Sequence, residues 1–171
     1  MSSKNYLSIY AKSFNWAGFF LPKKTYKNCS YLYDFCRVVD NIADDENEIE
    51  IKKIKFQKFV SDFKQKNFEN PVIQNMWNII HEFNISLEII YDLFDGIESD
   101  IKQNVKIDTR KDLLIYCYRV AGTVGLMMAK ILKVSKKQSL KSAIDLGIAM
   151  QLTNISRDVI EDSKKNRSYI N

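Results

Sequence analysis

Apolar side chains recur every three or four residues along almost the whole chain, the spacing that gathers them on one face of an α-helix. The pattern predicts a short first helix over residues 4–14, interrupted by Leu21-Pro22. A long helix follows from about Lys23 into the acidic run Asp40-Asn41-Ile42-Ala43-Asp44-Asp45. Ile49, Ile54, Phe56, Phe59, Val60 and Phe63 mark a third helix, ending near Asn67 to Pro71. Pro71 suits the first position of a fourth, through Trp77 and Ile80, where its missing N–H is not needed. Ser86 is placed to cap a fifth, carrying Ile89, Ile90, Leu93 and Phe94 towards Asp100. Asp108-Thr109 and Asp112 open another, with Leu113, Leu114, Tyr116, Val120, Val124 and Met127 along it. The last begins at Ser135 or Ser139 and reaches Asp158-Val159-Ile160-Glu161-Asp162. With no internal repeat, low-complexity tract or linker, the expectation is an all-α fold in one domain, residues 1–171.

Composition narrows the chemistry. Five glycines and two prolines in 171 residues favour long helices over a turn-rich β architecture. The net charge of +5 suggests mild attraction to anionic partners. The lysines are scattered in short runs such as Lys52-Lys53-Ile54-Lys55, which read as solvated helix faces, so no nucleic-acid partner is expected. Cys29, Cys36 and Cys117 form no Cys-x-x-Cys pair, as for reduced thiols in a cytoplasmic protein. His81 is the only histidine, which removes His-rich metal sites and histidine-dependent triads and reads as structural or exposed. The N-terminus lacks the apolar core of a signal peptide, and no uninterrupted apolar run reaches the roughly 18 residues of a membrane span. The expected location is cytoplasmic, with at most peripheral contact with a membrane.

Two acidic stretches stand out. In each, a pair of aspartates (Asp40 and Asp44, Asp158 and Asp162) lies four residues apart, so both carboxylates share one helix face at a cost of roughly 0.2–0.5 kcal/mol per like-charged pair. Arg37 and Arg157 lie close by. Salt-bridged helix ends are one reading: Asp40 with Arg37, and Asp158 or Asp162 with a neighbouring lysine. The other is chemical. Hard carboxylate oxygens on two facing helices could hold Mg2+ against a diphosphate, with Arg37, Arg157 and Arg167 adding bidentate phosphate contacts. The metal would neutralise a diphosphate leaving group and assist ionisation of an allylic C–O bond. Gly122 and Gly125 lie inside a predicted helix, where each costs about 1 kcal/mol against alanine. They fit either a pocket wall over Val120 to Gly125 or close helix packing.

The stretch Ser13-Phe14 through Phe20-Leu21-Pro22, followed by Leu32-Tyr33-Asp34-Phe35-Cys36-Arg37-Val38-Val39-Asp40, resembles the N-terminal half of squalene/phytoene synthases. Tyr116-Cys117-Tyr118-Arg119-Val120-Ala121-Gly122-Thr123-Val124-Gly125 is similar to their central helix. Gln151-Leu152-Thr153-Asn154-Ile155-Ser156-Arg157-Asp158-Val159 through Arg167-Ser168-Tyr169 is similar to their second aspartate-rich motif. The resemblance implies an isoprenoid (terpenoid) synthase-type helical bundle and head-to-head coupling of two prenyl diphosphates. It implies Mg2+ (or Mn2+) on Asp40, Asp44, Asn154, Asp158 and Asp162. Arg37, Arg157 and Arg167 would hold phosphates, with Tyr33 and the substrate-binding Tyr169 nearby. Tyr33 joins the four aspartates as catalytic, and Phe14, Tyr116, Val120, Val124 and Gln151 would line the prenyl channel. One diphosphate leaves, the allylic cation alkylates the second substrate, and proton loss gives a cyclopropylcarbinyl diphosphate. Ionisation and rearrangement of that intermediate give the product.

Asn41 and Asn166 depart mildly from the family pattern. Length departs more, because family members run on well past the position of Tyr169. The chain is therefore read as lacking the C-terminal helices that close the pocket, either as a fragment of a longer synthase, the favoured reading, or as a short form completed by another chain. An exposed apolar face that could promote oligomerisation is the expected consequence. The leading expectation is coupling of two geranylgeranyl diphosphates to phytoene. The alternatives are a squalene or dehydrosqualene synthase using farnesyl diphosphate, with NADPH only for a true squalene synthase, and a non-catalytic helical assembly or scaffold relative.

Overall fold

The computed structural model describes residues 16–102 and 104–169. The expected first helix, and Phe14 with it, lies outside the described residues. The elements are α1 (Lys23–Asp44), α2 (Ile49–Lys64), α3 (Pro71–Phe83), α4 (Leu87–Asp100), β1 (Val105–Lys106), α5 (Arg110–Cys117), a π-helical turn (Tyr118–Gly122), α6 (Thr123–Ile131), α7 (Lys137–Lys164) and β2 (Arg167–Ser168).

Local chemistry explains most boundaries. Pro71 starts α3, and Asn70 Oδ1 accepts from the Val72 N–H at 3.0 Å. Asn84 ends α3 in the left-handed conformation at φ 48°, a position that asparagine tolerates better than most residues. Ser86 caps α4, and Thr109 caps α5 by accepting from the Asp112 N–H. Helix α7 starts at Lys137, between the two serines expected to open it, and has no side-chain cap.

Helices α1 to α4 enclose an aromatic core. Leu32, Phe35 and Val39 of α1 meet Phe56, Phe59 and Phe63 of α2, Ile73 and Met76 of α3, and Ile90, Leu93 and Phe94 of α4. Phe63 is fully buried, stacks on Trp77 at 5.2 Å and lies edge-on to Phe94 at 5.4 Å. Its carbonyl accepts the Trp77 indole N–H at 3.0 Å, which satisfies the one polar group of that ring.

The stretch from Arg110 to Ile131 is continuously helical and, by length and composition alone, apolar enough to cross a bilayer. Here it packs against α1, α4 and α7, and Thr123, Met127, Ala129 and Ile131 are buried. A Cβ at Gly125 would collide with the Ala143 carbonyl, and one at Gly147 with the Ala121 carbonyl. Gly125 thus serves close backbone packing against α7. One face of α7 leaves Leu146, Met150 and Ile160 exposed.

One feature has no counterpart in the sequence reading. β1 and β2 pair in parallel, Val105 with Arg167 and Lys106 with Ser168. Two residues per strand are too few to show a period-two pattern. This pair brings the segment after α7 back beside α4 and α5.

Candidate active site

On α1, Leu32, Phe35, Val39 and Ala43 follow the core stripe, while Arg37, Asp40 and Asp44 follow a neighbouring one. Asp40 stands one residue beyond Val39, so its carboxylate emerges where the core ends. On α7, Gln151, Asn154, Asp158 and Asp162 recur at helical spacing along one face. The two faces meet across a cavity of about 280 Å3. Ile97 and Asp100 of α4, Tyr116 of α5 and Val120 of the π-turn line its other side, joined by Arg167 and Tyr169 from the β2 segment.

Twelve residues singled out from sequence therefore share one cavity. Tyr33 and Val124 do not line it. Tyr33 lies a turn before Arg37 on α1, half-buried, and burial raises its pKa. Val124 packs against the aromatic core instead.

Charge is unevenly compensated in this cavity. Burial, and then the neighbouring Asp44, push the Asp40 carboxyl up to about 7 even though Arg37 pulls the other way. Burial also raises Asp162. The Arg157 guanidinium makes a two-point contact with Asp158, Nε to Oδ1 at 2.7 Å and Nη2 to Oδ2 at 2.6 Å, and holds that carboxyl below its ordinary range. Arg167, whose side chain is 11% exposed, reaches from β2 to Asp44 Oδ1 at 2.9 Å and to the Ala43 carbonyl at 3.3 Å. It joins the end of the second motif to the first. Asp158 thus pairs with the arginine beside it rather than with a lysine, while Glu161 of the same motif pairs with Lys165 at 3.4 Å.

The donor set suits a hard divalent cation. Among the described residues, no three His, Cys, Asp or Glu side chains converge into a ready-made metal cluster. Mg2+ does not need one, because it keeps several waters and takes one or two carboxylates together with substrate phosphates. Asp40, crowded by Asp44 and raised by burial, is a carboxylate short of positive charge. A bound cation would supply that charge.

Asp100 escaped the sequence reading. It accepts hydrogen bonds from Tyr116 Oη and Tyr169 Oη, both at 2.8 Å, and burial lifts its carboxyl to about 6. A signal was present: Asp100 continues the apolar stripe Ile90, Leu93, Phe94 and Ile97 of α4. An acid on a buried stripe is more informative than one on a solvated face.

The model of the family described as squalene/phytoene synthase matches residues 7–170. The chain is 32% identical to a phytoene synthase of Pseudescherichia vulneris, over 94% of this chain and 55% of that one. It is 33% identical to a 4,4'-diapophytoene synthase of Staphylococcus haemolyticus, over 94% of this chain and 58% of that one. The fold matches a dehydrosqualene synthase crystallised with a ligand, with TM-score 0.79 and 31% identity over 98% of this chain and 59% of that one. The chain thus spans somewhat more than half the length of these three relatives. Its helical architecture is that of the isoprenoid synthases, and the chain belongs to the squalene/phytoene synthase family.

Proposed function

We propose that this chain carries the diphosphate-binding half of a prenyltransferase site that condenses two prenyl diphosphates head-to-head. The observation behind this reading is the meeting of α1 and α7 across one cavity, each presenting two aspartates four residues apart with arginines beside them. Asp40 and Asp44 on one side, and Asn154, Asp158 and Asp162 on the other, would hold Mg2+. When bound, the metal would neutralise charge on the departing diphosphate.

The chain's own groups do the rest. Arg37, Arg157 and Arg167 bind phosphate oxygens, and a guanidinium can engage two at once. To do so, Arg157 turns from Asp158 and Arg167 from Asp44. Asp158 and Asp44 would then be free of their arginines and available to hold the metal. Val120, Ile97 and Tyr116 give the cavity an apolar and aromatic side, where a prenyl chain is sheltered from water. No general base with a lowered pKa is required at the ionising carbon.

The leading substrate is geranylgeranyl diphosphate and the product phytoene, supported by the similarity to a phytoene synthase along 94% of this chain. The thirty-carbon coupling of two farnesyl diphosphates is the second reading. It is favoured by the fold match to a dehydrosqualene synthase at TM-score 0.79. The four retained aspartates argue against a purely non-catalytic scaffold role.

Incubation with Mg2+ and labelled geranylgeranyl or farnesyl diphosphate tests the reading, in this chain and in a form extended to the length of its relatives. A forty-carbon product supports the first reading and a thirty-carbon product the second. If the extended form makes neither, or if Asp158→Ala keeps its turnover and Mg2+ dependence, the proposed site is wrong.

A further inference from the structure

Asp100 closes α4 with a carboxylate that both neighbouring phenols hold. Tyr116 Oη donates to Oδ2 and Tyr169 Oη to Oδ1, each at 2.8 Å. The two rings stack with centroids 4.9 Å apart and planes inclined by 22°, and their hydroxyl oxygens lie 3.3 Å apart. Both tyrosines are buried, and all three side chains line the cavity. The three come from different elements: the end of α4, the end of α5, and the residue after β2.

This group has the wrong charge for a diphosphate, which it would repel. It is right for positive charge. A carboxylate that accepts from two phenols draws their protons towards itself and leaves rings and oxygens richer in electrons. An electron-rich aromatic face attracts cations more strongly.

Resting on the prenyltransferase reading above, we propose that Asp100 is a positioning residue for the carbocation side of the site. It fixes Tyr116 and Tyr169 as a stacked, electron-rich pair against which the allylic cation forms. Asp100 does not touch the reacting carbon; it acts through the phenols.

The test compares three probes by calorimetry, on this chain and on its Asp100→Asn variant. They are inorganic diphosphate with Mg2+, a prenyl ammonium that mimics the cation, and its neutral isostere; the last two are added in the presence of Mg2+ and diphosphate. An amide in place of the carboxylate can accept from one phenol but must donate to the other, so the pair is disturbed with little change in shape. The expected result is a loss of ammonium affinity about tenfold larger than the losses for diphosphate and the neutral isostere. A second variant, Tyr116→Phe with Tyr169→Phe, keeps both rings and removes both hydrogen bonds; it should reproduce that selective loss. It also carries the test if Asp100→Asn fails to fold. Equal losses for ammonium and isostere, or no loss for either, overturn the role given to Asp100. If the unsubstituted chain binds no diphosphate with Mg2+, the prenyltransferase reading falls first and this inference with it. That outcome is recognised without any variant.

Discussion

Helix α1 passes through two environments within a few residues. On one face Phe35 meets Phe59, Phe63 and Phe94, with centroids 5.6 to 6.0 Å apart and no ionised group among them. On the adjacent face Asp40 lies against Asp44 and Asp100, all of one charge, with Arg37 and Arg167 as partial compensation. The first environment is favourable as it stands, since each buried phenyl ring contributes roughly 1.5–3 kcal/mol. The second costs free energy as it stands, because burial and like charge both disfavour the ionised carboxylates, and under the proposed function a bound cation would offset that cost. Stability and binding capacity are thus separated on one helix, and the separation can be tested from both sides.

The largest expected effect lies on the core side. Phe63→Ala removes a fully buried ring that contacts Phe35, Trp77 and Phe94, and should cost about 3–5 kcal/mol of stability. For a chain of this size that is a drop in Tm of roughly 10 °C in calorimetry. Inorganic diphosphate should still bind in the fraction that remains folded. Loss of binding in that folded fraction would show that the two faces of α1 are not separable.

Asp40→Ala should behave in the opposite sense. Affinity for Mg2+ with diphosphate should fall by roughly 100-fold, on the scale of removing one preorganised electrostatic group from a site. Without ligand at pH 8, the variant should be at least as stable as the unsubstituted chain, because a desolvated carboxylate has been removed. A marked fall in Tm for the ligand-free variant would mean that Asp40 is a structural ion-pair partner, as in the salt-bridged helix-end reading.

The same contrast predicts a pH dependence with a definite sign. Asp40 titrates near 7 in the folded chain, against 3.8 for an ordinary aspartate. The folded state therefore binds the proton more tightly, and stability falls as pH rises between those values. Asp100, raised to about 6, acts in the same direction over a narrower window. In the absence of divalent cation, the loss between pH 5 and pH 8 should be on the order of 2–4 kcal/mol. Mg2+ with diphosphate should recover much of it at pH 8, and Asp40→Asn should flatten the profile. A profile unchanged in Asp40→Asn would assign the slope to other groups.

The two regions also differed in how readable they were. Helices α2 to α4 followed from apolar spacing and local signals, because Pro71 and Ser86 act within a turn of their own position. The aspartate pairs were visible for the same local reason: four-residue spacing puts two carboxylates on one face. What spacing cannot show is that α1 and α7 face each other, since that depends on how the helices between them pack. Arg167 meeting Asp44 across more than a hundred residues is of this kind. The π-turn at Tyr118–Gly122 left no trace, because five wider-wound residues hardly shift an apolar pattern. Val124 falls outside this cavity for a related reason, since which side of that helix faces it is set by the local winding. Asp100 was passed over because the chain has 21 acidic residues and only its place on a buried stripe distinguishes it.

The smallest effect comes from a matched pair of helix caps, one in each region. Asn70 caps α3 beside the aromatic core, and Thr109 caps α5, the helix that carries Tyr116 into the cavity. Each side chain accepts one backbone N–H that the helix itself leaves unpaired, Val72 at 3.0 Å and Asp112 at 3.1 Å. Replacing either with alanine should cost about 1 kcal/mol, a shift of roughly 2–4 °C in Tm, with Thr109 at the upper end because its hydroxyl also donates to Asp112 Oδ2 at 2.6 Å. Their effects on ligand need not match. The core holds α3 along Ile73, Met76, Trp77, Ile79 and Ile80, so fraying its first turn leaves the rest in place. In α5 only Tyr116 and Cys117 are buried, and the first turn is exposed. Thr109→Ala should therefore weaken binding of a prenyl ammonium with Mg2+ and diphosphate by a few-fold, and Asn70→Ala should leave it unchanged. Equal binding in both variants would show that the β1–β2 pair and the Asp100 hydrogen bonds hold Tyr116 without help from the start of its helix.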